Sequence, residues 1–252
     1  MRPLRFPGRA PRLFAVRVAL FDIDGTLVSM GGAAREAFVR ALAETVGREV
    51  LSDGVSFGGK TDPQIARELL ARNGVEEDRL EAAIAETVRR YLVHFERDLP
   101  RASGARLLPG VVELLEALAR RGDVAVALLT GNVEAGARLK LGFFDLGRHF
   151  DFRMSAFGSD HHDRYRLPAI VLDRARRRLG NAVAGTDLVI IGDSEHDVLC
   201  GREVGARSLA VATGWTPEAT LRALGPHRLF TDFSDTEAVV AAIAEEAPCP
   251  AR

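Results

Sequence analysis

The sequence predicts an α/β fold, a doubly wound parallel sheet with a block of helices inserted after its first strand. Short apolar runs at 16–21, 124–129, 150–154, 188–191, 208–211 and 228–230 alternate with helical segments, the pattern of a parallel sheet covered on both faces. Between the first two runs, residues 29–100 show helical periodicity and no strand pattern. A chain of 252 residues, 47% of them hydrophobic, can bury such a core.

Each element has a local reason. The first dozen residues, MRPLRFPGRAPR, are rich in Arg and Pro and lack an apolar stretch. Residues 1–14 therefore read as a disordered extension and not as a secretory signal. The core is expected over 15–28 and 101–247, the inserted helices over 29–100 and a tail over 248–252. Val, Ala, Leu and Phe at 16–21 suit a strand buried on both faces. Ala37, Phe38, Ala41, Leu42 and Val46 form the stripe of a helix over 34–46. Asp62-Pro63 opens a second helix through 70, since proline is favoured in a first turn, and Asn73-Gly74 stops it. Ile84, Val88, Tyr91, Leu92 and Phe95 mark a third helix over 81–95. Pro109-Gly110 turns into a helix over 111–120, after which strands and helices alternate to the end.

Composition excludes several functions. A net charge of −1, with 27% charged residues, offers no footprint for nucleic acid or an anionic membrane. Two cysteines, Cys200 and Cys249, are too few for a disulfide framework, and Cys200 is expected as a small buried hydrophobe. No apolar run approaches the roughly twenty residues of a bilayer span. The protein is expected to be cytoplasmic, as a monomer or homodimer.

Three strand ends carry the chemistry. The first run ends in Asp22 and Asp24, two residues apart, followed by Gly25-Thr26. Open α/β sheets bind their ligands at the carboxyl ends of strands, and two carboxylates crowded there need a cation or a proton between them. Mg²⁺ fits, because it takes oxygen ligands and keeps positions open for water or phosphate. The run at 125–129 ends in Thr130-Gly131-Asn132, a hydroxyl followed by a glycine turn whose N–H groups suit a phosphoryl oxygen. The run at 188–191 leads into Gly192-Asp193-Ser194-Glu195-His196-Asp197, where two aspartates four apart can reach one metal from one side. Each motif has a plainer reading: an Asp-rich turn, an ordinary Thr-Gly turn, and a helix cap made by Asp193 or Ser194.

In this order and spacing the motifs resemble those of the haloacid dehalogenase (HAD) superfamily. FDIDGTL is similar to its first motif, LLTGN to its second and IIGDSEHD to its fourth, and the likeness runs from about 16 to 244. The inserted helices resemble the family's C1-type α-helical cap, and the core its Rossmann-like sheet. The resemblance implies a Mg²⁺-dependent, phosphoglycolate phosphatase-like hydrolase that cleaves small phosphomonoesters through an aspartyl phosphate. Residue by residue, it implies Asp22 as nucleophile and the Asp24 carboxyl as general acid and base. It implies Mg²⁺ on Asp22, the Asp24 carbonyl and Asp193, with Asp197 as a further ligand or a carboxylate behind them. Thr130 and the N–H groups of Ile23, Asp24, Gly131 and Asn132 would receive the phosphoryl oxygens.

The third motif departs from the family pattern of a Lys followed by Pro. The segment SDHHDRYRLP, 159–168, stands in its place. Arg164 is the expected cation and Arg166 its rival, a guanidinium replacing an ammonium without equivalent geometry. Asp24 argues against a dehalogenase, which needs neither a leaving-group acid nor a metal. A phosphomutase keeps both aspartates and stands as the alternative. A non-catalytic phosphate-binding module is the third reading, although receiver domains of that kind are about half this length and lack such an insertion.

Gly58-Gly59-Lys60-Thr61-Asp62 resembles the specificity loop of phosphoglycolate phosphatase-like members. Lys60 would offer charge to the substrate, and Thr61 or Asp62 would cap the next helix; the plainer reading leaves Lys60 solvated. His161 and His162 are adjacent and poorly placed to face one ion, so no transition-metal site is expected. His196 is expected as a solvated or capping residue, and Trp215 as a packing residue at the core rim.

Overall fold

The computed structural model describes residues 16–245. The extension expected over 1–14 and the tail over 248–252 lie outside the described residues, as does Cys249. The first strand, β1 (Arg17–Phe21), is buried along its length. The chain continues through β2 (Val28–Met30), then three helices, α1 (Ala33–Val46), α2 (Asp62–Arg72) and α3 (Glu77–Asp98), and returns through β3 (Ala105–Leu107). β2 and β3 pair antiparallel with Ser29 opposite Arg106, so the chain leaves and re-enters along one ribbon. Three-residue strands are too short to show alternation, which is why the sequence pattern misses them.

The three helices form where apolar stripes predict them. The Thr61 hydroxyl accepts from the Gln64 N–H at 3.2 Å and caps α2, with Pro63 in its first turn. α3 runs further at both ends than its apolar stripe, continued by Glu77 and Asp78 at its start and Arg97 near its end, charges that complement the helix dipole. α1 and α2 both pack on α3, with Phe38, Tyr91 and Phe95 forming an aromatic row, centroids 5.1 and 5.7 Å apart.

Beyond the ribbon follow α4 (Val111–Ala119), β4 (Val124–Leu128), α5 (Glu134–Phe143), α6 (Leu167–Leu179), β5 (Leu188–Gly192), α7 (Glu195–Leu199), β6 (Arg207–Val211), α8 (Glu218–Ala223), β7 (Arg228–Phe230) and α9 (Thr236–Ala244). The main sheet is parallel, in the order β4-β1-β5-β6-β7. Its side chains alternate between faces, as the two-residue period of a strand requires. Ala19, Phe21, Leu128, Val189 and Ile191 join one apolar cluster, which continues into the inserted helices. Val18, Leu20, Ala127, Leu129, Leu188 and Ile190 join another, under α6. β1 lies between β4 and β5, so the chain order reverses beside it and leaves a crevice at the carboxyl edge.

The strand expected at 150–154 does not form. The Asp151 carbonyl accepts from the Met154 N–H and the Ser155 hydroxyl, both at 3.0 Å, and its carboxylate accepts from the Arg153 N–H. This local turn competes with a ladder. The segment still lies beside β4, through Asp151 N–H to the Val126 carbonyl and Ala156 N–H to the Leu128 carbonyl. No described helix is long and apolar enough to cross a membrane.

Candidate active site

The turn after β1 is set by Gly25, whose φ of +80° is one that side-chain-bearing residues rarely adopt. A Cβ there would also come within 2.5 Å of the Asp193 carboxylate. The turn brings the Thr26 hydroxyl to Asp193 Oδ1 at 2.9 Å, joining the ends of β1 and β5. Carboxylate oxygens of Asp22, Asp193 and Asp197, all buried, lie within 4.8 Å of one another. Ser194 and Asp197 cap α7 reciprocally: Asp197 Oδ2 accepts from the Ser194 N–H at 3.0 Å and the Ser194 hydroxyl at 2.6 Å.

Arg164 completes this group. It is 2% exposed, and its guanidinium pairs with Asp197 Oδ1 and stands 3.4 Å from Asp22 Oδ2. It sits in a 3-10 turn, Arg164–Arg166, where Asp163 accepts from the Tyr165 N–H. In such a turn, side chains two apart diverge. Arg166 is accordingly on the surface, 60% exposed, with Asp163 at 3.9 Å and Glu203 at 4.0 Å.

Burial pushes the Asp22 carboxyl up to about 6; Arg164 opposes the shift, while Asp197 and Asp24 reinforce it. Burial, together with the charges of Asp197 and Asp22, holds Asp193 well above the usual carboxylate range. For Arg164 the penalty of burial is outweighed by Asp197 and Asp22, and it stays cationic. Three carboxylates face one guanidinium. The surplus negative charge and all-oxygen donor set fit a hard divalent cation.

A second polar group lies beside the first. Asn132 donates through Nδ2 to Asp24 Oδ2 and to the Thr130 hydroxyl, both at 2.8 Å. Lys140, on α5, donates to Asp24 Oδ2 at 2.5 Å and to Asn132 Oδ1 at 2.6 Å. The Thr130 hydroxyl also bonds Asp22 and lowers it, so Thr130 links the two groups. The motifs do not point to Lys140. Its signal is a lysine on the buried stripe of α5, between Ala137 and Leu141.

The loop at 58–62 docks on this second group. The Asp62 N–H donates to the Gly131 carbonyl at 2.8 Å, and Asp62 Oδ2 accepts from the Val133 N–H at 2.8 Å. The Thr61 hydroxyl donates to the His162 carbonyl at 2.5 Å. A Cβ on Gly131 would collide with the Lys60 carbonyl, so glycine is what permits the approach. Lys60 itself pairs with Glu68 on α2. Burial raises the Asp62 carboxyl to about 6, against the opposing charge of Lys140.

Ile23 lies in the turn after β1, accepting at its carbonyl from the Leu27 N–H at 2.9 Å and the Val28 N–H at 3.0 Å. His161 and His162 stack with ring centroids 4.7 Å apart, and His161 Nδ1 accepts from the Asp163 N–H. His196 is half-buried against Gly59 and the edge of Tyr165. Cys200 is buried, which pushes its thiol up to about 12. Trp215 departs from expectation: at 94% exposure it packs on no core rim. It stands in the loop after β6, beyond the last residue the sheet buries.

A family model described as haloacid dehalogenase-like hydrolase matches residues 19–202. The chain belongs to the haloacid dehalogenase-like hydrolases. Among relatives, it is 30% identical over 232 residues to "Probable phosphatase IndB" of Dickeya dadantii, with 86% of this chain and 90% of that one covered. It is also 30% identical over 225 residues to a phosphoglycolate phosphatase of Agrobacterium fabrum, covering 86% and 89%. A solved hydrolase from Pseudomonas syringae superposes with a TM-score of 0.68 at 19% identity, over 91% of this chain and 100% of that one, a likeness that speaks for the fold. Within the haloacid dehalogenase-like fold the acidic group lies at the carboxyl edge of the parallel sheet, with the 58–62 loop docked on the neighbouring Thr130-Asn132 turn.

Proposed function

We propose that this hydrolase is a cytoplasmic, Mg²⁺-dependent phosphatase of small phosphomonoesters that works through an aspartyl phosphate on Asp22. The observation that carries the reading is the separation of roles between the two carboxylates of the first motif. Asp22 faces Arg164, Asp193 and Asp197. The Asp24 carboxyl is held apart, on Asn132 and Lys140.

Mg²⁺ would be held by Asp22, Asp193 and the Asp24 carbonyl; both oxygens of Asp197 already have protein partners, so that residue stands behind the ligands. When bound, the ion neutralises charge on the phosphoryl oxygens and on Asp22. Arg164 would add positive charge beside Asp22 and the phosphoryl group, and its pairing with Asp197 keeps it from swinging away. An Asp22 oxygen forms the new bond to phosphorus. Asp24 protonates the departing ester oxygen, then takes a proton from the attacking water. Thr130, with the turn N–H groups of Ile23, Gly131 and Asn132, receives the phosphoryl oxygens. We assign the helices at 29–100 as a C1-type cap over the core, with the 58–62 loop excluding water and Lys60, which pairs with Glu68 here, turning its charge to the substrate when one binds.

A panel of phosphomonoesters, headed by phosphoglycolate because relatives carry that name, tests the reading with Mg²⁺ or with EDTA. We expect turnover with Mg²⁺, none in EDTA, none for Asp22→Asn, and an accumulating phosphoenzyme for Asp24→Asn. Full activity in EDTA would overturn the metal assignment, and near-native turnover by Asp22→Asn the nucleophile. Phosphoryl transfer to a second hydroxyl in place of water would favour a mutase.

A further inference from the structure

We propose that Lys140 is the positioning residue for the Asp24 carboxyl, fixing by its contacts with Asp24 and Asn132 which oxygen of Asp24 meets the leaving group. The proposal rests on the reading of Asp24 as the acid that protonates the departing ester oxygen.

Lys140 is 3% exposed on the apolar stripe of α5, and its ammonium lies 5.8 Å from the centre of the Phe95 ring on α3. Burying an ammonium there is unfavourable unless it is paired and hydrogen-bonded. The pairing is directed: one bond to Asp24 Oδ2 at 2.5 Å and one to Asn132 Oδ1 at 2.6 Å.

An ammonium has donors and no acceptor. Asn132 can therefore meet it only with its oxygen, which turns the Asn132 NH₂ toward Asp24 and Thr130. The Asp24 carboxylate, which can only accept, selects the same end of the amide, so Lys140 and Asp24 together hold Asn132 in one orientation. Asp24 Oδ2 then receives two N–H donors and is closed to a proton. Oδ1 is left for the proton the ester oxygen must receive. The Asp24 side chain is 43% exposed while its partner Lys140 is buried, so the carboxyl keeps access to the cleft.

An Asp22 carboxylate oxygen forms a bond to phosphorus, and the phosphorus–ester oxygen bond breaks with its electron pair going to that oxygen. The proton on Asp24 Oδ1 moves to the same oxygen, giving a neutral alcohol and leaving Asp24 as the carboxylate. A misdirected Asp24 impairs this step in proportion to how badly the leaving oxygen needs the proton. An alkyl phosphate suffers most and p-nitrophenyl phosphate least.

The test compares kcat/KM of the full chain with Mg²⁺ for an alkyl phosphate, phenyl phosphate and p-nitrophenyl phosphate. The proteins are wild type, K140M, K140R, D24N and K140M/D24N. For K140M we expect about a 100-fold loss on the alkyl ester and less than about tenfold on p-nitrophenyl phosphate, in the range of general acid catalysis. K140R should recover part of the alkyl activity, and in the D24N background K140M should add no further leaving-group selectivity. An equal loss by K140M on all three esters, with D24N still selective, would make Lys140 merely structural and leave the Asp24 reading standing. A D24N variant without selectivity would instead overturn that reading and the proposal with it. Circular dichroism and thermal melting establish that K140M folds. If it does not, K140Q, which keeps an N–H donor without the charge, is expected to show the same selective loss, and an unselective loss would sink the proposal equally.

Discussion

Arg164 stands between Asp22 and Asp197 with almost no access to water, so its removal has two consequences. Two buried carboxylates lose their cation, and in the proposed mechanism a phosphoryl group on Asp22 would lose one of its charge partners. Arg164→Ala is expected to lower kcat/KM by about 2–4 kcal/mol of transition-state stabilisation, on the scale of losing one preorganised donor. Arg166→Ala should change it by less than about 1 kcal/mol, as for exposed charges. Steady-state kinetics on one phosphomonoester decides between them, and a large loss at Arg166 alone would reverse the assignment. The choice between the two arginines depended on backbone the sequence does not declare. Extended chain would have put both on one face, whereas the 3-10 turn parts them. Asp22, Asp24, Thr130, Asp193 and Asp197 were legible because each follows an apolar run at a strand end, where position in the chain nearly determines position in the site. Lys140 was not, being eight residues beyond the motif and two helical turns along α5, where only an ill-fitting charge in an apolar stripe betrays it.

The start of α2 is the element on which the inserted helices meet the sheet, and Asp62 is its most strained chemistry. Its carboxyl titrates at about 6, against 3.8 when unperturbed, chiefly because it is buried. Between these values the folded chain holds a proton that the unfolded chain has lost, so stability falls as pH rises through that window. Above it, the buried charge costs up to about 3 kcal/mol. Asp62→Asn keeps an oxygen for the Val133 N–H and removes the charge. We expect the variant to be more stable than wild type at pH 8 and equal to it below pH 4, measured by urea unfolding across pH; a difference constant with pH would refute this. The helices themselves were readable from stripes, capping residues and Pro63. The strand expected at 150–154 was lost because the Asp151 carbonyl and side chain offered the backbone local partners that no apolar pattern reveals.

At the scale of the molecule, one apolar cluster runs from Phe21 and Ile191 in the sheet to Phe38, Tyr91 and Phe95 in the inserted helices. The alternation of strands and helices made the sheet and the insertion legible. The docking of one on the other was not, since the contacts of Thr61 and Asp62 with Gly131, Val133 and His162 span long stretches of chain and leave no periodic trace. Those contacts make a measurable pair. The Asp62 amide is held by the Gly131 carbonyl and the Val133 amide by the Asp62 carboxylate, so both are released only when the loop lifts. Hydrogen exchange should give the two amides the same protection, rising together when inorganic phosphate and Mg²⁺ are added; unequal protection would mean that the loop opens piecemeal. The β2–β3 ribbon explains why a joint release is expected. Two strands bonded side by side cannot slide past each other without breaking their pairs, but they can bend as one. Once the 58–62 loop is released, a bend in this ribbon would carry the helices as a lever about one pivot, and the points farthest from the ribbon would travel furthest.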